Sequence, residues 1–120
     1  KDRFTLLHCV SSYPCDLDIV NLPRIQDLKM LSNSVGFSDH SQGIESSILS
    51  LGMGVSFIEK HFTINNDLPG RDNKFAILPS PMRSLSYYVK VAGKVMNDKG
   101  SDFQDCELDS RKNYTGRFNG

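Results

Sequence analysis

Two short segments of the chain begin apolar and end in polar side chains that could do chemistry. Residues 35–40 and 56–63 have the alternation and composition of strands. Because residues two apart in a strand share a face, each segment presents a polar pair on one side, namely Ser38 with His40 and Glu59 with His61. Neighbouring strands that each end in an inward histidine predict a metal site at the carboxyl end of an α/β barrel.

The remaining histidine and the lysine beside Glu59 receive other interpretations. His8 faces away from Ser11 in its own segment, and we interpret it as an ordinary buried or surface histidine. Lys60 has the opposite parity from Glu59 and His61. We therefore expect Lys60 to pair with a helix on the outside of the barrel.

Composition excludes several classes of function. A chain of 120 residues is at most one domain. Its 14 acidic and 14 basic side chains leave it neutral. The charge balance predicts no nucleic-acid partner and no membrane partner, and no apolar stretch has the length of a membrane span. The three cysteines are odd in number and lack Cys-x-x-Cys spacing, which favours a reduced, cytoplasmic protein.

Three strand and helix signals alternate along the chain. The segment 4–9 predicts the first strand, and Asn21 is the expected N-cap of a helix that carries Ile25, Leu28 and Leu31 on one face. A second helix near 44–51 should bury Ile44, Ile48 and Leu51. Ser80-Pro81 should open the third helix, whose apolar stripe is Met82, Leu85, Val89, Ala92 and Met96.

Consecutive βα units imply a parallel sheet with helices packed outside it. Parallel strands need cover on both faces, so three units predict part of a larger sheet. Polar residues follow every strand, which favours an eight-stranded (β/α)8 TIM barrel. Residues 1–100 are the predicted partial barrel, and the polar residues 101–120 are the predicted linker.

Three sequence blocks follow one another along the chain in the same order as the motifs of one enzyme family. They are Leu6-Leu7-His8-Cys9-Val10-Ser11-Ser12-Tyr13-Pro14; Val35-Gly36-Phe37-Ser38-Asp39-His40 with Gly43-Ile44; and Ile58-Glu59-Lys60-His61-Phe62-Thr63 with Gly70-Arg71-Asp72. The chain resembles the sialic acid synthase family over nearly its whole length. The resemblance implies the last three βα units of the barrel and a linker towards a missing antifreeze-like domain. It also implies a homodimeric enzyme.

The resemblance further implies the reaction and its cofactor. Family members condense phosphoenolpyruvate with an N-acylated amino sugar, such as N-acetylmannosamine, to form a sialic or related nonulosonic acid and phosphate. A divalent metal, most commonly Mn²⁺ with Mg²⁺ and Co²⁺ as alternatives, would lie between His40 and His61. That metal would polarise the sugar aldehyde.

By the same resemblance, each site residue has an expected role. His40 and His61 are the metal ligands. Together with Glu59 they are the expected catalytic residues, and Glu59 is expected to orient the metal site. Ser11 and Ser38 are expected to bind phosphoenolpyruvate oxygens, whereas Tyr13 and Asp72 are expected to hold sugar hydroxyls.

Departures from the family pattern leave alternatives open. The family commonly has Gly-Pro-Asp-His where this chain has Gly70-Arg71-Asp72-Asn73, so the acceptor sugar is not determined. The family's phosphoenolpyruvate-binding lysines lie on earlier strands, outside these residues. An inactive split or truncated barrel is therefore the alternative to an active synthase, and we expect the 120-residue piece alone to lack activity. A two-histidine metallohydrolase is a weaker third alternative.

Overall fold

Three parallel strands alternate with helices in the computed structural model of the protein, which describes residues 3–114 and 116. The elements in chain order are β1 (Leu6–Cys9), α1 (Arg24–Lys29), β2 (Val35–Asp39), α2 (Glu45–Gly52), β3 (Ile58–Lys60), α3 (Pro79–Val95) and α4 (Leu108–Tyr114). Short 3₁₀ turns occur at Leu17–Ile19, Asn73–Phe75 and Asp105–Glu107. The predicted α/β architecture with parallel strands is confirmed.

The strands pair in the order β1-β2-β3, so β2 lies in the middle of the sheet. Leu6 lies opposite Val35 in the first pair, and Ser38 lies opposite Glu59 in the second. All five residues of β2 are buried because neighbours cover both of its edges. This register brings the polar ends of β2 and β3 side by side.

The core lies between the sheet, α1 and the segment that connects β1 to α1. Its buried apolar members are Cys15, Val20, Ile25, Val35 and Phe37. His8 belongs to the same region, since its ring stacks on Phe37 and its Nε2 lies 2.6 Å from the carbonyl oxygen of Val20. His8 is therefore a buried structural histidine, which is one of the two placements expected from the sequence.

The first helix differs from its prediction at both ends. Asn21 does not cap it, because this residue has a positive φ of 52° and Pro23 occupies the N-cap position. Ile25 is buried, but Leu31 lies beyond the last helical residue and is 60% exposed. A short helix whose neighbour is the sheet buries only one turn of apolar side chains, so the stripe that we predicted is too long.

The second helix buries a different face from the one predicted. Ile44, Ile48 and Leu51 are only partly buried, whereas Ser46, Ser47 and Ser50 are fully buried. Two of these serines, Ser46 and Ser47, donate hydrogen bonds to the carboxylate of Asp39. A buried carboxylate requires such donors, and it therefore selects the polar face of α2.

The third strand is shorter and less buried than predicted. Only Ile58–Lys60 form the ladder, and Phe57 is 41% exposed. Its ring lies over Gly36, where an added Cβ would come within 2.6 Å of the ring atoms. One edge of β3 has no strand partner among the described residues, which explains both the short ladder and the exposure.

The last part of the described chain is helical and mostly exposed. Helix α3 begins at Pro79, not at Ser80-Pro81, and Leu85 is the buried member of its predicted apolar stripe, with Val89 and Met96 exposed. Helix α4 lies inside the predicted linker, of which residues 115 and 117–120 are outside the described part. Among residues 3–114 and 116, no helix combines the length and apolar character needed to cross a membrane.

Candidate functional site

An open pocket lies at the carboxyl ends of β2 and β3. Its lining residues are Ser38, His40, Glu59, Lys60 and His61. Four of these five were singled out from the sequence as one site. The carboxyl ends of parallel strands lie at one edge of the sheet, which is why residues about twenty positions apart meet there.

The two predicted metal-ligand histidines converge. The ring centroids of His40 and His61 are 5.3 Å apart. The main chain fixes both residues, because the carbonyl of His40 accepts a hydrogen bond from the amide of Cys15 at 2.8 Å and that of His61 accepts one from Ile77 at 2.9 Å. The predicted convergence is confirmed, whereas metal binding stays a prediction.

Ser38 and Glu59 form a cross-strand bond on the pocket face. The Ser38 hydroxyl donates to Oε1 of Glu59 at 2.7 Å, as their direct opposition in the register allows. The predicted orienting carboxylate is therefore held by the strand beside it. Because a hydroxyl has a single proton to donate, Ser38 must turn away from Glu59 before it can donate to a bound anion.

Tyr13 reaches the same pocket from the loop after β1. Its ring centroid lies 4.3 Å from that of His61 and 5.3 Å from that of His40, with the edge of Phe75 on a further side. Burial raises the pKa of the Tyr13 phenol, and the charge of Asp72 raises it further. The Tyr13 side chain is therefore an uncharged phenol that packs against both imidazoles.

Asp72 and Ser11 are placed differently from each other. The Tyr13 hydroxyl donates to the main-chain carbonyl of Asp72 at 3.1 Å, and this bond joins the loop after β1 to the loop after β3. The two residues predicted to hold the sugar are thus adjacent. Ser11 is exposed and does not line the pocket.

Behind the pocket, Asp39 and Lys60 form a buried ion pair. Nζ of Lys60 lies 3.0 Å from Oδ2 of Asp39, and both side chains are almost fully buried. Burial is the strongest influence on the Asp39 carboxyl and raises its pKa. Hydrogen bonds from Ser47, Ser46 and Ser41 and the charge of Lys60 outweigh it, so the pKa of Asp39 lies below its usual value. Lys60 therefore pairs with a strand residue that α2 supports, and our prediction of a helix partner was wrong.

Comparison with known proteins identifies the family. Residues 1–101 match the model of the NeuB family. The chain belongs to the NeuB family. It is 39% identical over 112 residues to N,N'-diacetyllegionaminic acid synthase of Legionella pneumophila, and 36% identical over 99 residues to the enzyme of the same name from Campylobacter jejuni. These matches cover 92% and 82% of this chain.

Solved structures agree with this assignment. A structure of N-acetylneuraminic acid synthetase from Leptospira borgpetersenii, determined in complex with citrate, matches with a TM-score of 0.80 and 35% identity. That match covers 92% of this chain and 40% of the other. Against the Legionella and Campylobacter relatives, the NeuB-family chain spans 32% and 30% of their length. The Legionella and Campylobacter relatives are named as legionaminic acid synthases, and the Leptospira protein is named as a sialic acid synthetase.

The donor set of this NeuB-family chain suits a divalent transition metal in part. Two imidazoles converge at a distance at which both could ligate one ion, and imidazole nitrogen is an accepted ligand of such metals. Within the described ranges, no three His, Cys, Asp or Glu side chains group as a complete metal site. An ion held by His40 and His61 would therefore draw its other ligands from water or substrate oxygens, or from residues that this chain does not supply.

Two neighbours of the NeuB-family site escaped the sequence analysis. Sγ of Cys9 lies 3.8 Å from Nε2 and 3.9 Å from Nδ1 of His40, so the thiol packs against the imidazole. Cys9 has the parity of Ser11 and Tyr13 in the first segment, and that parity was the available signal. Asp39 and Lys60 each lie on the face of their own strand that is opposite to the pocket, and the alternation could have indicated this. Nothing local indicated that serines of α2 would surround Asp39.

Proposed function

We propose that this chain supplies the last three βα units of a (β/α)8 barrel in a nonulosonic acid synthase. The complete enzyme would condense phosphoenolpyruvate with an N-acylated amino sugar in the presence of a divalent metal, with Mn²⁺ as the first candidate and Mg²⁺ and Co²⁺ as alternatives. The products would be a sialic or related nonulosonic acid and inorganic phosphate. The names of the relatives support the product class.

The exposed parts of the sheet support the barrel. Each of the outer strands β1 and β3 has one edge without a strand partner within residues 3–114 and 116. Apolar side chains stay exposed on the sheet and on α3, including Leu7, Phe57 and Val89. Additional βα units on both sides would cover these surfaces, as a closed barrel does.

His40 and His61 carry the proposal, because they converge at the end of the sheet where barrel enzymes keep their chemistry. When bound, the metal would act as a Lewis acid on the sugar aldehyde and orient both substrates. The two imidazoles contribute neutral nitrogen ligands whose positions the main-chain bonds to Cys15 and Ile77 determine. The Ser38 bond holds Glu59 next to them.

The remaining polar groups fit the two substrates. Tyr13 lies against both histidines and close to Asp72, so this pair would contact the sugar beside the reacting aldehyde. Ser38 would offer its hydroxyl to an anionic oxygen of phosphoenolpyruvate after releasing Glu59. The proposal also includes a homodimeric cytoplasmic enzyme in which 101–120 leads to an antifreeze-like domain, as the family resemblance implies.

Replacement of one histidine tests the assignment. In the complete protein, His61→Ala should reduce Mn²⁺-dependent phosphate release from phosphoenolpyruvate and an N-acylated amino sugar by about 100-fold or more, because several kcal/mol of transition-state stabilisation are lost. His8→Gln is the matched control, since His8 is buried away from the pocket and binds the Val20 carbonyl. That variant should lose stability but keep turnover per folded molecule.

Two outcomes would contradict the proposal. Wild-type turnover in His61→Ala would remove the metal assignment. A folded complete protein that releases no phosphate with any of a panel of N-acylated amino sugars and any of the three metals would favour the inactive-barrel alternative.

A further inference from the structure

Strands β2 and β3 are joined on both faces at the level of the pocket. On the pocket face, Ser38 donates to Glu59 at 2.7 Å. On the opposite face, one residue further along each strand, Asp39 and Lys60 form their ion pair at 3.0 Å. Asp39 lies directly opposite Lys60 in the register, and each immediately precedes a pocket histidine. The spacing of the two histidines thus depends on the strand ends that this ion pair joins.

Lys60 holds the main chain on both sides of His40. Its Nζ contacts the Asp39 carboxylate before the histidine and donates to the main-chain carbonyl of Ser41 after it, at 2.6 Å. Since Lys60 itself precedes His61, one side chain connects the backbone around the first histidine to the backbone of the second.

Asp39 makes the connection rigid from its own side. Its Oδ1 accepts from the amide of Ser41 at 2.9 Å and from the Ser41 hydroxyl at 2.7 Å, so a side-chain turn spans His40. Its Oδ2 accepts from the hydroxyls of Ser46 and Ser47 at the start of α2. The ion pair is thereby fixed to a helix as well as to two strands.

A stability role alone does not account for this arrangement. Buried ion pairs are costly to desolvate. Apolar residues of similar volume at the same positions often stabilise a fold as much or more. Here every contact of the pair leads to a backbone segment next to a pocket histidine or to the helix that supports it. The ion pair therefore lies where it can determine the positions of the two histidines.

We propose that Asp39 and Lys60 are positioning residues that set the separation and orientation of His40 and His61. The inference rests on the proposed function, because it concerns the ability of the two imidazoles to hold one ion. Asp39 does not line the pocket, and the Lys60 ammonium is held by Asp39 and by the Ser41 carbonyl, so neither charged group would contact the metal or the substrates directly. Each acts through the backbone of the adjacent histidine.

Mn²⁺ affinity is the direct readout. It should be measured on the complete protein by electron paramagnetic resonance titration with Mn²⁺ alone, for wild type, Lys60→Met and Lys60→Arg. Removing a residue that orients metal ligands typically weakens metal binding by about 10–100-fold, and we expect that loss for Lys60→Met. Lys60→Arg keeps the charge and the donors, and it should recover at least about tenfold of the lost affinity.

Val35→Ala is the control for a purely structural effect. Val35 is buried at the amino end of β2, the same strand that carries Asp39 at its other end. This variant should unfold at lower urea concentration but keep wild-type Mn²⁺ affinity in its folded fraction. If Lys60→Met does not fold, the double variant Asp39→Asn/Lys60→Met removes both buried charges and takes its place, with the same expected loss of affinity.

The outcomes separate this inference from the proposed function. If His61→Ala and wild type bind Mn²⁺ equally, the metal assignment of the proposed function is wrong. If His61→Ala loses affinity while folded Lys60→Met or the double variant binds Mn²⁺ like wild type, only the positioning inference is overturned. Equal loss of affinity in Val35→Ala and Lys60→Met would also overturn it, since general destabilisation would then explain both.

Discussion

The two ends of β2 and β3 differ in the contacts that hold them, which are apolar at the amino end and polar at the carboxyl end. At the amino end, Val35 is buried among apolar residues and the Phe57 ring covers Gly36. At the carboxyl end, almost every side chain is polar and has a partner across the strands, on the pocket face as well as on the helix face. Apolar burial thus predominates at one end of this pair of strands, and polar pairing predominates at the other. Apolar contact holds the amino end, and directional bonds order the carboxyl end.

The largest effect on stability is expected at the apolar half of β2. Phe37 is fully buried and stacks on His8, so Phe37→Ala should lower the free energy of unfolding by about 3–5 kcal/mol. Urea unfolding of the complete metal-free protein measures this loss. A cost below about 1 kcal/mol would show that the core between the sheet and α1 collapses around the cavity, and the contrast between the two ends would then be weaker than the burial suggests.

A smaller and pH-dependent effect is expected at the polar end. Asp39→Asn leaves the buried Lys60 without its counter-charge, which should cost about 3 kcal/mol at neutral pH. The pKa of Asp39 is lowered in the folded state, against about 3.9 in the unfolded chain. The native state therefore binds fewer protons, and the stabilisation is fully present above about pH 4 and is lost as the pH falls through the folded pKa.

Urea unfolding between about pH 7 and pH 2 checks this sign. The difference between wild type and Asp39→Asn should stay constant down to about pH 4 and narrow below it, because the wild-type carboxyl becomes protonated. A difference that stays the same at pH 2 would mean that the charge of Asp39 does not stabilise the fold, and that its serine contacts alone carry the effect.

The smallest effect is expected where an exposed side chain can move. In Gly36→Ala, the new Cβ would meet the Phe57 ring at 2.6 Å, but this ring lies at the end of a partly exposed side chain. Displacing it should cost about 1–2 kcal/mol and leave Mn²⁺ affinity unchanged. A loss of Mn²⁺ affinity in this variant would show that the two ends of the strands are coupled.

Local periodicity was sufficient for the parts of the fold that depend on neighbouring residues. The alternation in 35–40 and 56–63 correctly placed Ser38 with His40 and Glu59 with His61, because a strand has a strict period of two. The same argument separated His8 from the pocket. The family resemblance, and not the alternation, assigned Tyr13 and Ser11 to the site; Tyr13 packs against both pocket histidines, whereas Ser11 is exposed outside the pocket.

Helix faces were less predictable than strand faces. Ile48 and Leu51 were expected to be buried in α2, but Ser46, Ser47 and Ser50 are the buried residues. Hydrophobicity predicts burial only where no buried charge must be satisfied, and the Asp39 carboxylate lies beneath this helix. In α3, only Leu85 of the five stripe residues is buried, whereas Met82 and Ala92 are partly buried and Val89 and Met96 are exposed.

The parallel βα order, the polar strand ends and the two histidines could be predicted from short-range periodicity and from the residue types. The partners that these residues meet across the sheet and across the loops depend on how the elements pack. The register joins Asp39 to Lys60, and the chain path brings Tyr13 to Asp72 and Cys9 to His40. Pairings between distant segments depend on how whole elements pack, and side-chain parity within one segment carries no information about the partner that another segment will supply.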